Sequence, residues 1–455
     1  MLKKTCQLVL WQIKIIMVSR QGIYTVSSRS YHCGTLVVDA LPAQSALGID
    51  QYVYTVGESF QGIKHVPPGF HVLSYAAYDS VGNRYGPVTA MFVEIPRVER
   101  AEEDACAGME HDTAWMLDSA LHGPVLGWKW NASEEILVRL DEDEMVRAQG
   151  MVKNLRWDKE LGSYVAMHSV REQGSSGAVS WDSFKEWVGL SNFIDRSVVD
   201  RVAPKGGNIC VIAENHPSTS GGRKSEAELA LERQLGDDED KYTKGAPHAG
   251  KCSFTPIPGL IKDAALSPND LTTWNMDKSH ILEQLLKDKY GSQESLLLGE
   301  LQFSFLAFLL GHSLDAFLQW KNLIALLFGC EEAVTSSHVE FFVDALEVIY
   351  KQLSFSFSDA ASTSSSPGMA MNVSKDVVSE QLLESSFLKS TSISFIQSIL
   401  FEQQGTIVDP RIIDIVNKLR VLLSTALHWD CGPIHDLENN DEDGPVIVLD
   451  NEEMY

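Results

Sequence analysis

From residue 299 to 328 the chain reads GELQFSFLAFLLGHSLDAFLQWKNLIALLF, and its apolar spacing changes halfway. Phe303, Phe305, Leu306, Phe308, Leu309 and Leu310 leave no polar face, which predicts a helix enclosed by neighbours on every side. Gly311 permits a break. Leu314, Phe317, Leu318, Ile324, Leu327 and Phe328 then predict a second helix, and the two form a helical hairpin at a domain core. Only 14 uncharged residues lie between Glu300 and Asp315. A membrane span needs roughly 20, so core packing is the reading.

The helical texture holds over 266–431 almost throughout. Ser267-Pro268, followed by acidic residues, is a start signal, and Ile281, Leu282, Leu285 and Leu286 share one side of the helix it opens. VEFFVDALEVIYKQL (339–353) supplies another helix, a Ser-rich break covers 354–372, and DPRIIDIVNKLRVLLSTALHWD (409–430) is the last helix.

Upstream the period shortens. GTLVVDA (34–40), GFHVLSYAAY (69–78) and AMFVEI (90–95) read as strands, with another inside LGWKWNASEEILVRL (126–140) and a further one at CVIA (210–213). Gly82-Asn83 suits a tight turn. Pro67-Pro68-Gly69 lacks two amide donors and so marks a strand entry or bend. Helical faces follow at Met145, Ala148, Val152 and Leu155, and at Trp181, Phe184 and Val188. The fold class expected is a two-domain α+β protein with a β-rich domain first and an all-helical domain second.

Residues 214–256 are polar, charged and rich in Ser and Gly, a flexible linker with a short helix over 224–235. At the other end, five acids lie between Asp436 and Asp443, followed by the β-prone run Val446, Ile447, Val448 and Leu449. An acidic stretch resists burial and acts as a spacer. The short run gains most by adding to a sheet edge, either of its own N-terminal domain or of a partner.

The formal charge of −25 excludes a nucleic-acid backbone as the main ligand. Seven widely spaced cysteines, with no C-x-x-C pair, fit a reduced compartment better than a disulfide framework. Lys3 and Lys4 precede an apolar run, but Gln12 and Lys14 interrupt it and no small-residue cleavage site follows, so it does not read as a signal peptide. Ser220 to Ser225 lacks the spacing of a phosphate loop. The chain has neither a nucleophile elbow nor a zinc-binding helix motif. His65 and His71 flank the Pro-Pro-Gly turn at no zinc-site spacing, and His428 at a helix end suits the helix dipole. No catalytic residue, cofactor or metal ion is expected.

Several long motifs now matter together. GTLVVDALPAQSALGIDQYVYTVGESFQGIKHVPPGFHVLSY, WVGLSNFI, the 299–328 stretch, VIYKQL, LRVLLSTALHWD and GPVIVL occur in one order. In that order they resemble the a1-alpha2 repression (Aar) splicing-factor family, over most of 34–450. The resemblance implies a β-rich N-terminal domain joined to a VHS-like helical domain. It also implies a non-enzymatic assembly factor for the U5 small nuclear ribonucleoprotein particle, present in cytoplasm and nucleus. Such a factor binds the RNase H-like and Jab/MPN domains of pre-mRNA processing factor eight and delays engagement of the RNA helicase. The cleft between its domains would hold one partner surface, and the tail strand 446–449 would bridge to another.

The expected divisions are an atypical leader (1–33), the β-rich domain (34–213), the linker (214–256), the helical domain (257–431) and the acidic tail (432–455). Residues 97–127 replace a short hairpin connection. Beyond the tail, Phe60, Lys64, His71 and Trp429 are candidate protein contacts. No direct nucleic-acid or membrane contact is expected, and the chain is expected to be a monomer. The alternative is a VHS-type adaptor in membrane traffic that binds acidic peptide signals, because fold alone does not fix function.

Overall fold

The computed structural model describes residues 14–19, 22–27, 32–99, 121–164, 182–210, 251–258, 277–336, 338–357, 386–401 and 408–432. Strands β1 (Lys14–Ser19) and β2 (Gly22–Ser27) pair antiparallel as a separate ribbon. Next come β3 (Gly34–Asp39), β4 (Ala46–Ile49), β5 (Tyr52–Thr55), β6 (Gly62–Val66) and β7 (Gly69–Ala76). A small hairpin of β8 (Tyr78–Asp79) and β9 (Arg84–Tyr85) leads to β10 (Thr89–Ile95). Strands β11 (Val125–Asn131), β12 (Ile136–Arg139), β13 (Leu161–Ser163) and β14 (Ile209–Cys210) complete the set among the described residues.

These strands build two five-stranded sheets, in the orders β14-β10-β7-β4-β5 and β12-β11-β3-β6-β13. The first is antiparallel throughout, and the second is parallel at β11/β3 and at β13/β6. Alternation along the first sheet gives it two faces. Leu47, Ile49, Leu73, Tyr75, Met91 and Val93 fall on one face and are buried. They share a core with Leu36, Val38, Ile63 and Trp128 of the second sheet. The Tyr75 hydroxyl accepts from the Leu137 amide at 3.0 Å and fixes the two sheets together. The opposite face is small over Ala46, Gly48, Ser74, Ala76 and Ala90, and bulkier at Val72 and Phe92.

Helix α1 (Glu142–Lys153) covers the far side of the second sheet, where Val37 meets Ala148 and Val152. An Asp141/Glu144 capping box starts it. It ends before Leu155, whose φ of 55° and 40% exposure place it off the expected apolar face. Helices α2 (Asp182–Ser191) and α3 (Arg196–Val202) follow in the N-terminal half.

In the C-terminal half, α4 (Ser279–Tyr290), α5 (Glu294–Gly311), α6 (Leu314–Leu327), α7 (Glu331–Thr335), α8 (Val339–Phe357), α9 (Ser386–Leu400) and α10 (Pro410–Leu427) form the helical domain. The expected hairpin is α5–α6. His312 adopts the left-handed conformation at the break, and the Ser313 hydroxyl caps α6 by accepting from the Ala316 amide. Helix α10 opens as its sequence says, with Asp409 as N-cap and Pro410 at its first turn.

Three boundaries differ from the sequence reading. The helix that carries Ile281 and Leu285 starts at Ser279, where the Asp277 carboxylate accepts from the Ser279 amide at 2.8 Å, while the Ser267-Pro268 signal lies outside the described residues. Helix α8 continues through the start of the expected Ser-rich break, because Phe355 is buried and the Ser356 hydroxyl donates to the Gln352 carbonyl. The single strand expected in 126–140 is a hairpin, β11–β12. The linker helix expected at 224–235, Trp181 and the tail strand lie outside the described residues.

Candidate functional site

Helix α5 has the length and composition of a membrane helix, yet it is packed inside the protein. Residues 297–311 are buried without a break, Glu300, Gln302 and Ser304 included. One side lies on the small-residue face of the first sheet. Phe92 and Phe303 stack there at 4.2 Å, and a Cβ at Gly311 would stand 3.2 Å from that of Ala90. The other sides meet α6, α8 and α4. Along α5 the seam between the domains is therefore closed, where the sequence reading had expected a cleft.

The four residues that open the GELQ motif each have a distinct task. Gly299 lets the helix approach the α2–α3 connection, since a Cβ would stand 2.6 Å from the Phe193 carbonyl oxygen. Leu301 is core. The Glu300 carboxylate, fully buried, accepts from the Thr255 amide (2.7 Å), the Thr255 hydroxyl (2.7 Å), the Tyr290 hydroxyl (2.9 Å) and the Gln319 amide group (3.0 Å). Arg201, from α3, lies 3.8 Å from it and crosses the Tyr290 ring at 4.5 Å. Burial first, then the Glu300 charge, pushes the Tyr290 hydroxyl far above its ordinary value, so it stays a donor. Residues 251–258 are thereby tied to α5, including the last of those read as linker. On the opposite side, Gln302 accepts from the Phe193 amide at 2.8 Å and donates to the Asn192 side chain at 2.8 Å. The WVGLSNFI motif is thus the loop that Gln302 holds.

A second buried cluster gathers the N-terminal motifs. Asp50, in the left-handed region at φ 53°, ends the Gly48-Ile49-Asp50 turn with its carboxylate fully buried. It accepts from the Val72 amide (3.0 Å) and the Tyr164 hydroxyl (2.6 Å), and pairs with His71 Nδ1 at 2.7 Å. His71 Nε2 faces the Pro67 carbonyl at 2.8 Å. Both ring nitrogens are thus engaged inside the fold, and neither faces an open pocket. Burial and the Asp50 charge raise the Tyr164 hydroxyl well above its ordinary value, which keeps it a donor too. Trp187 stacks beside the His71 ring, with its indole N–H donated to the Phe70 carbonyl at 3.0 Å.

The arrangement is a structural lock on the Pro67-Pro68 bend. Among the described residues no group of three or more His, Cys, Asp and Glu side chains is placed to hold a metal ion. Among the described residues Cys210, Cys330 and Cys431 are free thiols.

The single-residue contact candidates divide accordingly. His71 is 1% exposed and Trp429 is 4% exposed, so packing inside the fold explains both and neither presents a surface. Phe60 is half-buried against the core. Lys64 donates to the Asp158 carbonyl at 2.8 Å and pairs with its carboxylate. The tail candidates Val446, Ile447, Val448 and Leu449 lie outside the described residues.

Two sequence-family descriptions match in this order. The AAR2 N-terminal domain covers residues 32–204, and the AAR2 C-terminal repeat region covers 254–432. The chain belongs to the AAR2 family. Both AAR2 domains meet at α5, and the second match begins at Phe254, next to the Thr255 that Glu300 holds. The human protein called AAR2 homolog is 26% identical over 328 residues, which are 70% of this chain and 75% of the human one. The rabbit AAR2 homolog is 23% identical, with 88% and 91% covered. In budding yeast the similar protein is called A1 cistron-splicing factor AAR2, 20% identical with 70% and 76% covered. The membrane-traffic adaptor, weighed from the helical domain alone, finds no support in these AAR2 matches.

Proposed function

We propose that this chain is a splicing factor that acts, without catalysing a reaction, in assembly of the U5 small nuclear ribonucleoprotein particle. It binds the RNase H-like and Jab/MPN domains of pre-mRNA processing factor eight and delays helicase engagement. It works in both cytoplasm and nucleus. The observation that supports the reading is the presence of both AAR2 domains, in order, over 32–432. The acidic surplus agrees with a factor that holds protein and leaves RNA alone. Phe60 and Lys64, at the surface edge of the N-terminal domain, are the contacts proposed there.

In this reading the folded body grips one partner domain and the tail strand pairs with a sheet edge of the other. The tether then raises the effective concentration of the second contact. Pull-down titration of a fragment carrying both partner domains tests it. Replacing Val446 and Val448 with Pro removes two ladder donors and is expected to weaken binding by about tenfold or more. Unchanged affinity would remove the tail from the mechanism, and no binding by the unaltered chain would remove the partner.

A further inference from the structure

Past α10 the chain doubles back into the groove between α9 and α10. The two helices run antiparallel, since Phe401, just past the end of α9, lies beside Arg420 of α10, while Lys389 near its start lies near Cys431. The Ser424 hydroxyl donates to the Trp429 carbonyl at 3.1 Å, and the Gln397 side chain donates to the Gly432 carbonyl at 2.8 Å. Trp429 and Cys431 are buried between these contacts. Burial pushes the Cys431 thiol up, and Ser424, Asp430, Arg420 and Lys389 are the groups that face it. Asp430 turns the chain by accepting from the Gly432 amide at 3.0 Å. The backbone thus travels along α9 from Lys389 to Gln397, and Phe401 stands one turn ahead.

Farther along, the groove is exposed. Lys389, Ile393, Gln397 and Phe401 recur every four residues on one wall, and Ile413, Arg420 and Ser424 share a face of the other. Phe401 is 42% exposed and Ile413 is 37% exposed. Between them Arg420, half-buried, lies 6.0 Å from the Phe401 ring and has no carboxylate partner among the described residues. One segment fits this surface. Between Gly432 and Val446 the large apolar residues are Ile434 and Leu437, with Asp436 beside them. Phe401 lies about 6 Å past Gln397 along α9, and Ile413 about 10 Å past Arg420 along α10. Two extended residues span about 7 Å and five span about 17 Å. Counting from Gly432, Ile434 comes level with Phe401 and Leu437 with Ile413.

We propose that residues 433–437 of this chain dock in the α9–α10 groove, with Ile434 on Phe401, Leu437 on Ile413 and the Asp436 carboxylate on Arg420. The segment is tethered where the exposed groove begins, so its effective concentration exceeds that of any free peptide. Glu438, Asp441, Glu442 and Asp443 follow with no large apolar residue among them, so docking ends at Leu437 and the solvated spacer starts there. Rooted in this way, the run at Val446 starts at most about 30 Å from Leu437, which bounds the distance to a second partner surface. That consequence rests on the function proposed above, whereas the docking does not.

Hydrogen exchange of the full chain, with no partner added, tests the docking. Amides of 434–437 are expected to exchange about tenfold more slowly than their intrinsic rates, and those of 438–443 at intrinsic rates. Ile434→Ser combined with Leu437→Ser should remove that protection, and so should Asp436→Arg. Arg420→Glu combined with Asp436→Arg should restore it, with a thermal melt confirming that this variant folds. Intrinsic rates over 434–437, protection that survives both tail variants, or a folded charge-swapped variant without protection overturns the proposal. So does protection that vanishes on dilution, since a second copy's tail would then fill the groove.

Discussion

Gly299 is where the geometry makes its sharpest demand. A Cβ there would stand 2.6 Å from the Phe193 carbonyl oxygen, about 0.8 Å inside the 3.4 Å at which ordinary contact begins, and would also overlap Val198. Phe193 cannot retreat freely, since its amide is bonded to Gln302 at 2.8 Å. Gly299→Ala therefore overpacks the seam, at about 1–3 kcal/mol. Against this stands the helix preference of Ala over Gly, about 1 kcal/mol. Gly150 in α1 supplies the control, because its Cβ would meet nothing within 4 Å. Gly150→Ala should stabilise by about 0.5–1 kcal/mol. The propensity gain is common to both, so the difference between the variants isolates the seam at about 1–3 kcal/mol. Urea unfolding followed by circular dichroism measures it, provided the slope is unchanged between variants. Should Gly299→Ala prove as stable as Gly150→Ala, the close approach of α5 to the α2–α3 loop is not real.

Glu300→Ala leaves the Thr255 amide and the Tyr290 hydroxyl without their acceptor and takes one of two acceptors from Gln319. It should cost about 3–5 kcal/mol and open residues 251–258 to trypsin at Lys251; wild-type resistance at that bond would refute it. His71→Ala strands the Asp50 carboxylate and should cost a similar amount, about 3–5 kcal/mol. The Asp50→Ala/His71→Ala double variant should then lose less than the two single losses combined, and full additivity in urea midpoints would deny the coupling. Lys129 holds the Glu144 carboxyl below its usual range, and is itself held above its own by the same bond. The carboxylate's contribution is present above its unfolded value and vanishes as pH falls through the depressed folded one, while the ammonium's is lost only as pH rises through its raised one. The stability gap between wild type and Lys129→Met should hence be level at neutral pH and close below about pH 4. A gap that persists in acid contradicts the pair.

How far the sequence foretells this structure depends on whether an element speaks through its own residues or through a neighbour's. The absence of a polar face over 303–310 foretells enclosure, because enclosure is the only way to hide such a helix. What encloses it was hidden. Beside Phe92, much of the sheet face beneath α5 is Ala46, Gly48, Ser74, Ala76 and Ala90, residues that carry little hydrophobic signal and matter by being small. Helix α9 was missed for a related reason. SFLKSTSISFIQSIL has Ser or Thr at six of its 15 positions, yet Leu388, Phe395, Ile396 and Ile399 are buried and Phe395 stacks on Phe328 at 4.6 Å. The β11–β12 turn lacks Gly and Pro; the Asn131 side chain makes it, accepting from the Ser133 amide at 3.0 Å, with Glu135 at φ 53°. The Asp50–His71 pair was in plain sight within two motifs, but 21 residues of separation give no clue that the side chains meet.

Glu300 and Gln302 show why the two halves behave as one body. Two residues on a helix differ by about 200° around its axis, so their side chains leave α5 on opposite sides. One reaches Thr255, Tyr290 and Gln319 of the helical domain; the other reaches Phe193 and Asn192 of the β-rich one. Neither can be exchanged for an apolar residue without stranding donors in a buried seam. Arg201 returns the link from the first domain, donating to the Lys289 carbonyl and to the Thr255 hydroxyl. A protein built this way offers a partner two domains already fixed in register. The entropy of arranging them is met on folding, so a partner that touches both gains affinity from pre-organisation without any new contact.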